Sequence, residues 1–123
     1  MSTEISWQVK LTVKPGELEN FRVLTREMTT HAKTETGVLI YERFISEDAS
    51  HVFVYERYRD SASALAHLKA FHQMFSERFS HMIKREHFIV FGIPDQELKK
   101  TLDKLGAVYA APLLRSGVDD AQA

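Results

Sequence analysis

The 123-residue chain contains no cysteine, which removes disulfide frameworks, thiolate metal sites, iron–sulfur clusters and a cysteine nucleophile together. Neither sign of charge is in excess: 16 Lys and Arg stand against 17 Asp and Glu, a net charge of −1. Basic and acidic residues alternate along the chain, whereas a nucleic-acid reader gathers basic residues on one face, so no nucleic-acid partner is expected. No run approaches the roughly 18 apolar residues of a membrane span. Met1-Ser2-Thr3-Glu4 lacks the basic stretch and apolar run of a secretory signal, and the expectation is a cytoplasmic protein with no membrane partner. Gly-x-Gly-x-x-Gly, P-loop and Gly-x-Ser-x-Gly patterns are missing, which leaves nucleotide cofactors and a serine hydrolase without support. Six histidines remain as candidate ligands or bases. His67 and His72 are too far out of helical phase to share a face, and no His-Glu-x-x-His or facial carboxylate motif accompanies them, so no metal and no cofactor are expected.

The apolar fraction of 44% and charged fraction of 27% describe one globular domain with a real core. We read residues 1–115 as that domain and 116–123 as a polar tail. Ile5, Trp7, Val9, Leu11 and Val13 alternate with polar residues, the period of a half-buried strand. Lys14-Pro15-Gly16 breaks it, and an apolar stripe of Leu18, Phe21, Leu24, Met28 and Ala32 predicts a helix running to about Glu35, stopped by Gly37. Val38–Ser46 and His51–Arg59 read as a hairpin. Its turn, Glu47-Asp48-Ala49-Ser50, has no glycine, so a longer loop is expected and the register stays open by one residue. Asp60 or Ser61 caps a long helix with Ala64, Leu68, Phe71, Phe75, Phe79 and Met82 at helical spacing, and a kink is expected near Phe71–Met74. Glu86–Gly92 predicts a fourth strand, Asp95–Leu105 a short charged helix, and Ala107–Leu114 a last edge strand.

Strand, helix, strand, strand, helix, strand is the order of an α+β, ferredoxin-like split βαβ fold with an antiparallel sheet. Two helices cover one face of such a sheet. Tyr41, Phe44, Phe53 and Tyr55 put aromatics on both faces of the hairpin, and the cheapest way to bury the uncovered face is a homodimer packed sheet against sheet.

Four motifs, Val13-Lys14-Pro15-Gly16, Glu35-Thr36-Gly37-Val38-Leu39-Ile40-Tyr41-Glu42, Val54-Tyr55-Glu56-Arg57-Tyr58-Arg59-Asp60 and Ala64-Leu65-Ala66-His67-Leu68, resemble the antibiotic biosynthesis monooxygenase family in order and spacing. The resemblance spans residues 5 to 114. It implies a dimeric α+β barrel with a small-molecule cavity between sheet and helices in each subunit. It also implies cofactor-independent monooxygenase chemistry on a small quinol or phenolic aromatic, with a non-catalytic small-molecule-binding homodimer as the alternative. The haem-degrading branch carries Asn on the first strand and Trp on the second helix, where this chain has Val9 and His67.

Within that frame His67 is the candidate proton acceptor, because an imidazole titrating near neutrality can take the proton of a phenol and leave an anion able to reduce oxygen directly. A boundary histidine hydrogen-bonded to the hairpin is the other reading. Tyr58 occupies a position that is often aromatic in the family; it is a candidate to stack on a ligand and donate a hydrogen bond, as a catalytic or orienting residue. Glu56, a carboxylate in mid-strand, needs a partner: it pairs with Arg43 or Arg57, or it orients a ligand. Trp7, Phe71 and Phe75 complete the candidate substrate-binding set as an apolar wall, although an aromatic stripe at helical spacing is more often plain core.

Overall fold

The computed structural model describes residues 2–115; the expected tail, 116–123, lies outside the described residues. Nine elements follow in chain order: β1 (Ile5–Val13), α1 (Leu18–Ala32), β2 (Val38–Ile45), β3 (His51–Tyr58), α2 (Ser61–Met74), α3 (Ser76–Met82), β4 (Ile83–Phe91), α4 (Gln96–Lys104) and β5 (Val108–Ala110). The sheet order is β2-β3-β1-β4-β5. The first four strands pair antiparallel, while β5 joins β4 in parallel, so the sheet is mixed at one edge. This is the ferredoxin-like α+β fold with one added helix and strand.

The alternation in β1 sends Ile5, Trp7, Val9 and Leu11 into the core. They meet Val52, Val54 and Tyr58 of β3, Phe88 and Val90 of β4, Ala64 and Leu68 of α2, and Leu98 and Leu102 of α4. Burial of such side chains stabilises by about 1.5–3 kcal/mol each. Among the described residues no helix is long and apolar enough to cross a membrane.

The hairpin register, open from sequence, is settled by an Asp-centred loop. Asp48 accepts from Ser46 Oγ at 2.8 Å, Ser50 Oγ at 2.7 Å and Ser50 N at 3.1 Å, and Ala49 takes the left-handed φ of 61° that the turn requires. Those hydrogen bonds lower the Asp48 pKa to about 2. The resulting pairs, Tyr41 with Glu56, Arg43 with Val54 and Ile45 with Val52, put these residues on the helix-covered face. Phe44, Phe53 and Tyr55 point to the other face, where Phe44 is 56% exposed.

Four boundaries differ from the sequence expectations by more than one residue. Helix α1 stops at Ala32 rather than Glu35, because Thr34 and Glu35 fold back in tight turns onto the carbonyls of His31 and Ala32. The long second helix is two helices: Phe75, at φ −129° and ψ −22°, ends α2 and opens α3, just beyond the stretch where a kink was expected. Strand β4 begins at Ile83, not Glu86, since a bulge opposite Lys10 and Leu11 of β1 lets Lys84 and Arg85 continue the ladder. The last strand is only Val108–Ala110.

A candidate active site around a buried carboxylate

Glu56 lies in the middle of β3 and points under the helices, where it is buried. A bare carboxylate there would be very costly, and four side chains compensate it. Arg43 Nη2 on β2 approaches Glu56 Oε2 at 2.6 Å. The indole Nε1–H of Trp7 on β1 donates to Oε1 at 2.8 Å, and the Tyr58 hydroxyl, two residues along β3, donates to the same oxygen at 2.5 Å. His67 Nε2 on α2 stands 3.6 Å from it. Three adjacent strands and one helix thus converge on one carboxylate.

His67 is held from its other side. Its Nδ1 lies 2.8 Å from Glu35 Oε1, in the turn between α1 and β2. An ionised carboxylate can only accept, so in the neutral ring Nδ1 carries the hydrogen and Nε2 is the free base. The ring packs edge-on to Tyr41 at 5.6 Å and tilted against Tyr58 at 5.1 Å. Tyr58 also packs on Trp7 at 4.7 Å, and the Arg43 guanidinium covers the Tyr41 ring at 3.5 Å. Aromatic rings therefore pack on the His67 imidazole and the Arg43 guanidinium and restrict their orientation.

The charges follow from these contacts. Burial pushes the Glu56 carboxyl up, but the Arg43 guanidinium, His67 and the Tyr58 and Arg43 hydrogen bonds outweigh it and hold the group below the ordinary glutamate range. Burial, reinforced by the negative Glu56, keeps the Tyr58 phenol protonated far above its usual range. Tyr41 is raised as well, chiefly by burial. The resting site therefore pairs an ionised Glu56 with two phenols that stay neutral.

Beside the cluster is a cavity of about 70 Å³ lined by Trp7, Val9, Val54, Leu68, Phe71, Phe79 and Phe88, with Arg43, Glu56 and His67 as its polar edge and Arg85 at its rim. Of the six residues singled out from the sequence, Trp7, Glu56, His67 and Phe71 reach this cavity. Tyr58 does not line it; it is fully buried behind Glu56, between the Trp7 and His67 rings. Phe75 faces elsewhere and packs with Leu24 and Met28. Glu56 pairs with Arg43 rather than Arg57, which donates to Tyr55 instead. Sequence reasoning did not find Glu35 or Tyr41. The only signal for Glu35 was its place beside Thr36-Gly37, where a carboxylate just past a helix end can turn back toward the next helix.

The fold and this cluster define a ferredoxin-like α+β domain with a polar-edged cavity between sheet and helices. The chain belongs to the antibiotic biosynthesis monooxygenase family, whose model matches residues 5–87. Among solved structures it is similar to MupZ from Pseudomonas fluorescens, at 20% identity and a TM-score of 0.81 over 94% of this chain and 95% of that one. Rv0793 from Mycobacterium tuberculosis superposes at 20% identity and a TM-score of 0.65 over 76% of this chain and 97% of the other. SnoaB, a cofactor-independent oxygenase from Streptomyces nogalater, does so at 12% identity and a TM-score of 0.65 over 77% and 97%. At these identities the likeness is one of fold. No curated protein matches the sequence.

Proposed function

We propose that the protein is a cofactor-independent monooxygenase that oxidises a small quinol or phenol with molecular oxygen. The observation that carries the reading is the His67 imidazole held between Glu35 and Glu56, with its Nε2 turned toward Glu56 at the edge of an apolar cavity. Nε2 takes the phenolic proton, and the cation so formed lies between two carboxylates. The electron-rich phenolate then gives electrons directly to oxygen. One oxygen atom enters the ring as a carbonyl, the other leaves as water with the two displaced hydrogens, and all four electrons come from the substrate, which becomes a quinone. Glu56, Trp7 and Phe71 orient and enclose the ring, while Tyr58 acts through Glu56 as a positioning residue. The cavity, about 70 Å³, favours a single ring over a polycyclic phenol.

The family membership supports this reading, and so does the fold shared with an oxygenase described as cofactor-independent. The same reading includes a homodimer formed through the open sheet face around Phe44, Phe53 and Tyr55, and a cysteine-free chain working in a reducing cytoplasm. Oxygen uptake by metal-stripped protein with hydroquinones is the test. His67→Ala is expected to lower the rate 10²- to 10⁴-fold, the usual contribution of a positioned proton acceptor. A loss below about tenfold removes His67 from that role. Ligand binding with no uptake across the panel supports the alternative, a small-molecule-binding homodimer.

A further inference from the structure

Strict alternation along β4 from Phe88, which is buried in the core, would turn Glu86 toward the helices and Arg85 away from them. The bulge opposite Lys10 and Leu11 reverses this. Val9 pairs with Phe88 and Leu11 with Arg85, so Glu86 is the extra residue and Arg85 joins the helix-covered face. Glu86 instead accepts from Thr12 Oγ1 at 2.9 Å. One inserted residue thus exchanges an acid for a base at the rim of the cavity that His67 edges. Re-aiming a side chain is a recurrent use of bulges beside binding sites.

The base so placed is accessible and largely uncommitted. Arg85 is exposed, whereas His67 and Glu56 at the inner edge of the cavity are buried. Among the described residues its side chain makes one hydrogen bond, from Nη1 to the Leu105 carbonyl at 3.1 Å, and enters no ion pair. That contact caps the end of α4 and uses one of the five N–H groups of a guanidinium. The guanidinium lies 6.0 Å from the Phe88 ring, and partial loss of water lowers its pKa. A cation that gives up hydration without gaining an anion is favourably met by an oxygen acceptor.

We propose that Arg85 is a specificity-determining residue, donating to an oxygen acceptor at the outer end of a ligand whose hydroxyl lies at His67. The hydroxyl end rests on the oxygenase reading; the outer end follows from the bulge and the rim. The ligand is then a ring with oxygen at both ends, as in a quinol, rather than a simple alkylphenol. Its outer oxygen is either neutral, a hydroxyl or an ether, or part of a carboxylate, and both accept from a guanidinium in the same way.

Calorimetric titrations of the full chain, run without oxygen so that binding is read without turnover, use para-methoxyphenol, para-hydroxybenzoate and para-ethylphenol. The first and last differ by an ether oxygen in place of a methylene. Arg85→Met keeps an aliphatic chain beside Phe88 and removes the donors. In it, the affinity of the oxygen-bearing probe that wild type prefers, taken relative to para-ethylphenol, is expected to fall roughly tenfold, the lower end for a hydrogen bond to a charged group. The ratio cancels any general loosening of the cavity. Arg85→Gln, which retains a donor for the Leu105 carbonyl and serves if the first variant folds poorly, should lower the ratio several-fold. A wild-type preference for para-hydroxybenzoate assigns the outer oxygen to a carboxylate; a preference for para-methoxyphenol assigns a neutral oxygen. Ratios unchanged in both variants would leave Arg85 only the cap of α4 and overturn the proposal, as would failure of all three probes to bind. Absent oxygen uptake with the ratio still falling would defeat the oxygenase reading and leave the role of Arg85 standing.

Discussion

Arg43 and Glu56 meet diagonally across the β2–β3 pair: Arg43 is registered opposite Val54, yet its guanidinium reaches along the strand to the carboxylate opposite Tyr41. The reach lays the guanidinium over the Tyr41 ring and brings a charge to Glu56 from a second strand. Removing one partner therefore leaves a buried, uncompensated charge, whereas removing both does not.

Glu56→Gln is expected to destabilise the protein by about 3–5 kcal/mol, the range for breaking a buried ion pair from one side. The double variant Arg43→Met/Glu56→Met should lose markedly less than the sum of its single variants. Urea unfolding of wild type, Glu56→Gln, the two single Met variants and the double variant measures both quantities.

The same carboxylate sets a pH dependence. The folded-state pKa of Glu56 lies below the ordinary value, so its contribution to stability is fully present above the unfolded value near 4.3 and is lost as pH falls through the folded value. The stability difference between wild type and Glu56→Gln should shrink as pH falls below about 4. A difference that stays level down to about pH 2, or grows as pH falls below about 4, would contradict this assignment.

Tyr58→Phe keeps the ring stack and removes one donor to Glu56. A loss of about 1.5–3 kcal/mol is expected, as for a hydrogen bond to a charged group. Because the phenol remains protonated far above the usual range, wild type and Tyr58→Phe should show the same tyrosinate absorbance change near pH 10 while folded. In denaturant they should differ by one tyrosine.

Gly37 connects the turn bearing Glu35 to the start of the helix bearing His67. A Cβ at Gly37 would meet Ser63 Cβ at 2.3 Å, an overlap neither backbone can absorb without moving. Gly37→Ala should cost about 1–3 kcal/mol, as overpacking does, and Ser63→Gly should recover part of it. In an active protein, Gly37→Ala is also expected to lower the rate at saturating substrate, because Glu35 and His67 shift relative to each other; kcat separates this from a loss of fold.

Glu35→Gln leaves a hydrogen-bonding partner for His67 Nδ1 but removes the charge behind it. Its rate should fall less than that of His67→Ala, by roughly tenfold, if the carboxylate stabilises a positive imidazole. Equal oxygen uptake in Glu35→Gln and wild type would show that the contact holds the ring without assisting proton transfer.

Where local pattern determined structure, the sequence was readable: β1 alternates over its whole length, and Asp60 and Asp95 cap the two helices they precede, accepting from Ser63 N and Leu98 N. The end of α1 was not, because Lys33-Thr34-Glu35 is as compatible with a helix as with the turns it forms. The choice between Arg43 and Arg57 as partner of Glu56 depended on register. Arg57 follows Glu56 directly and so points to the opposite face, but placing Arg43 needed the Asp48 loop, whose contacts are side-chain to backbone and side-chain to side-chain. Glu35 and His67 meet across 32 positions with no periodicity between them. Their contact emerges only once α2 is laid against the turn after α1.

The sharing of one carboxylate by Trp7, Arg43, Tyr58 and His67 also has a historical consequence. Exchanges at these positions are coupled, since losing Glu56 strands its donors and losing Arg43 strands the acid. In relatives Arg43 and Glu56 are therefore expected to be exchanged together, while the apolar walls of the cavity, free of that obligation, are expected to vary more independently.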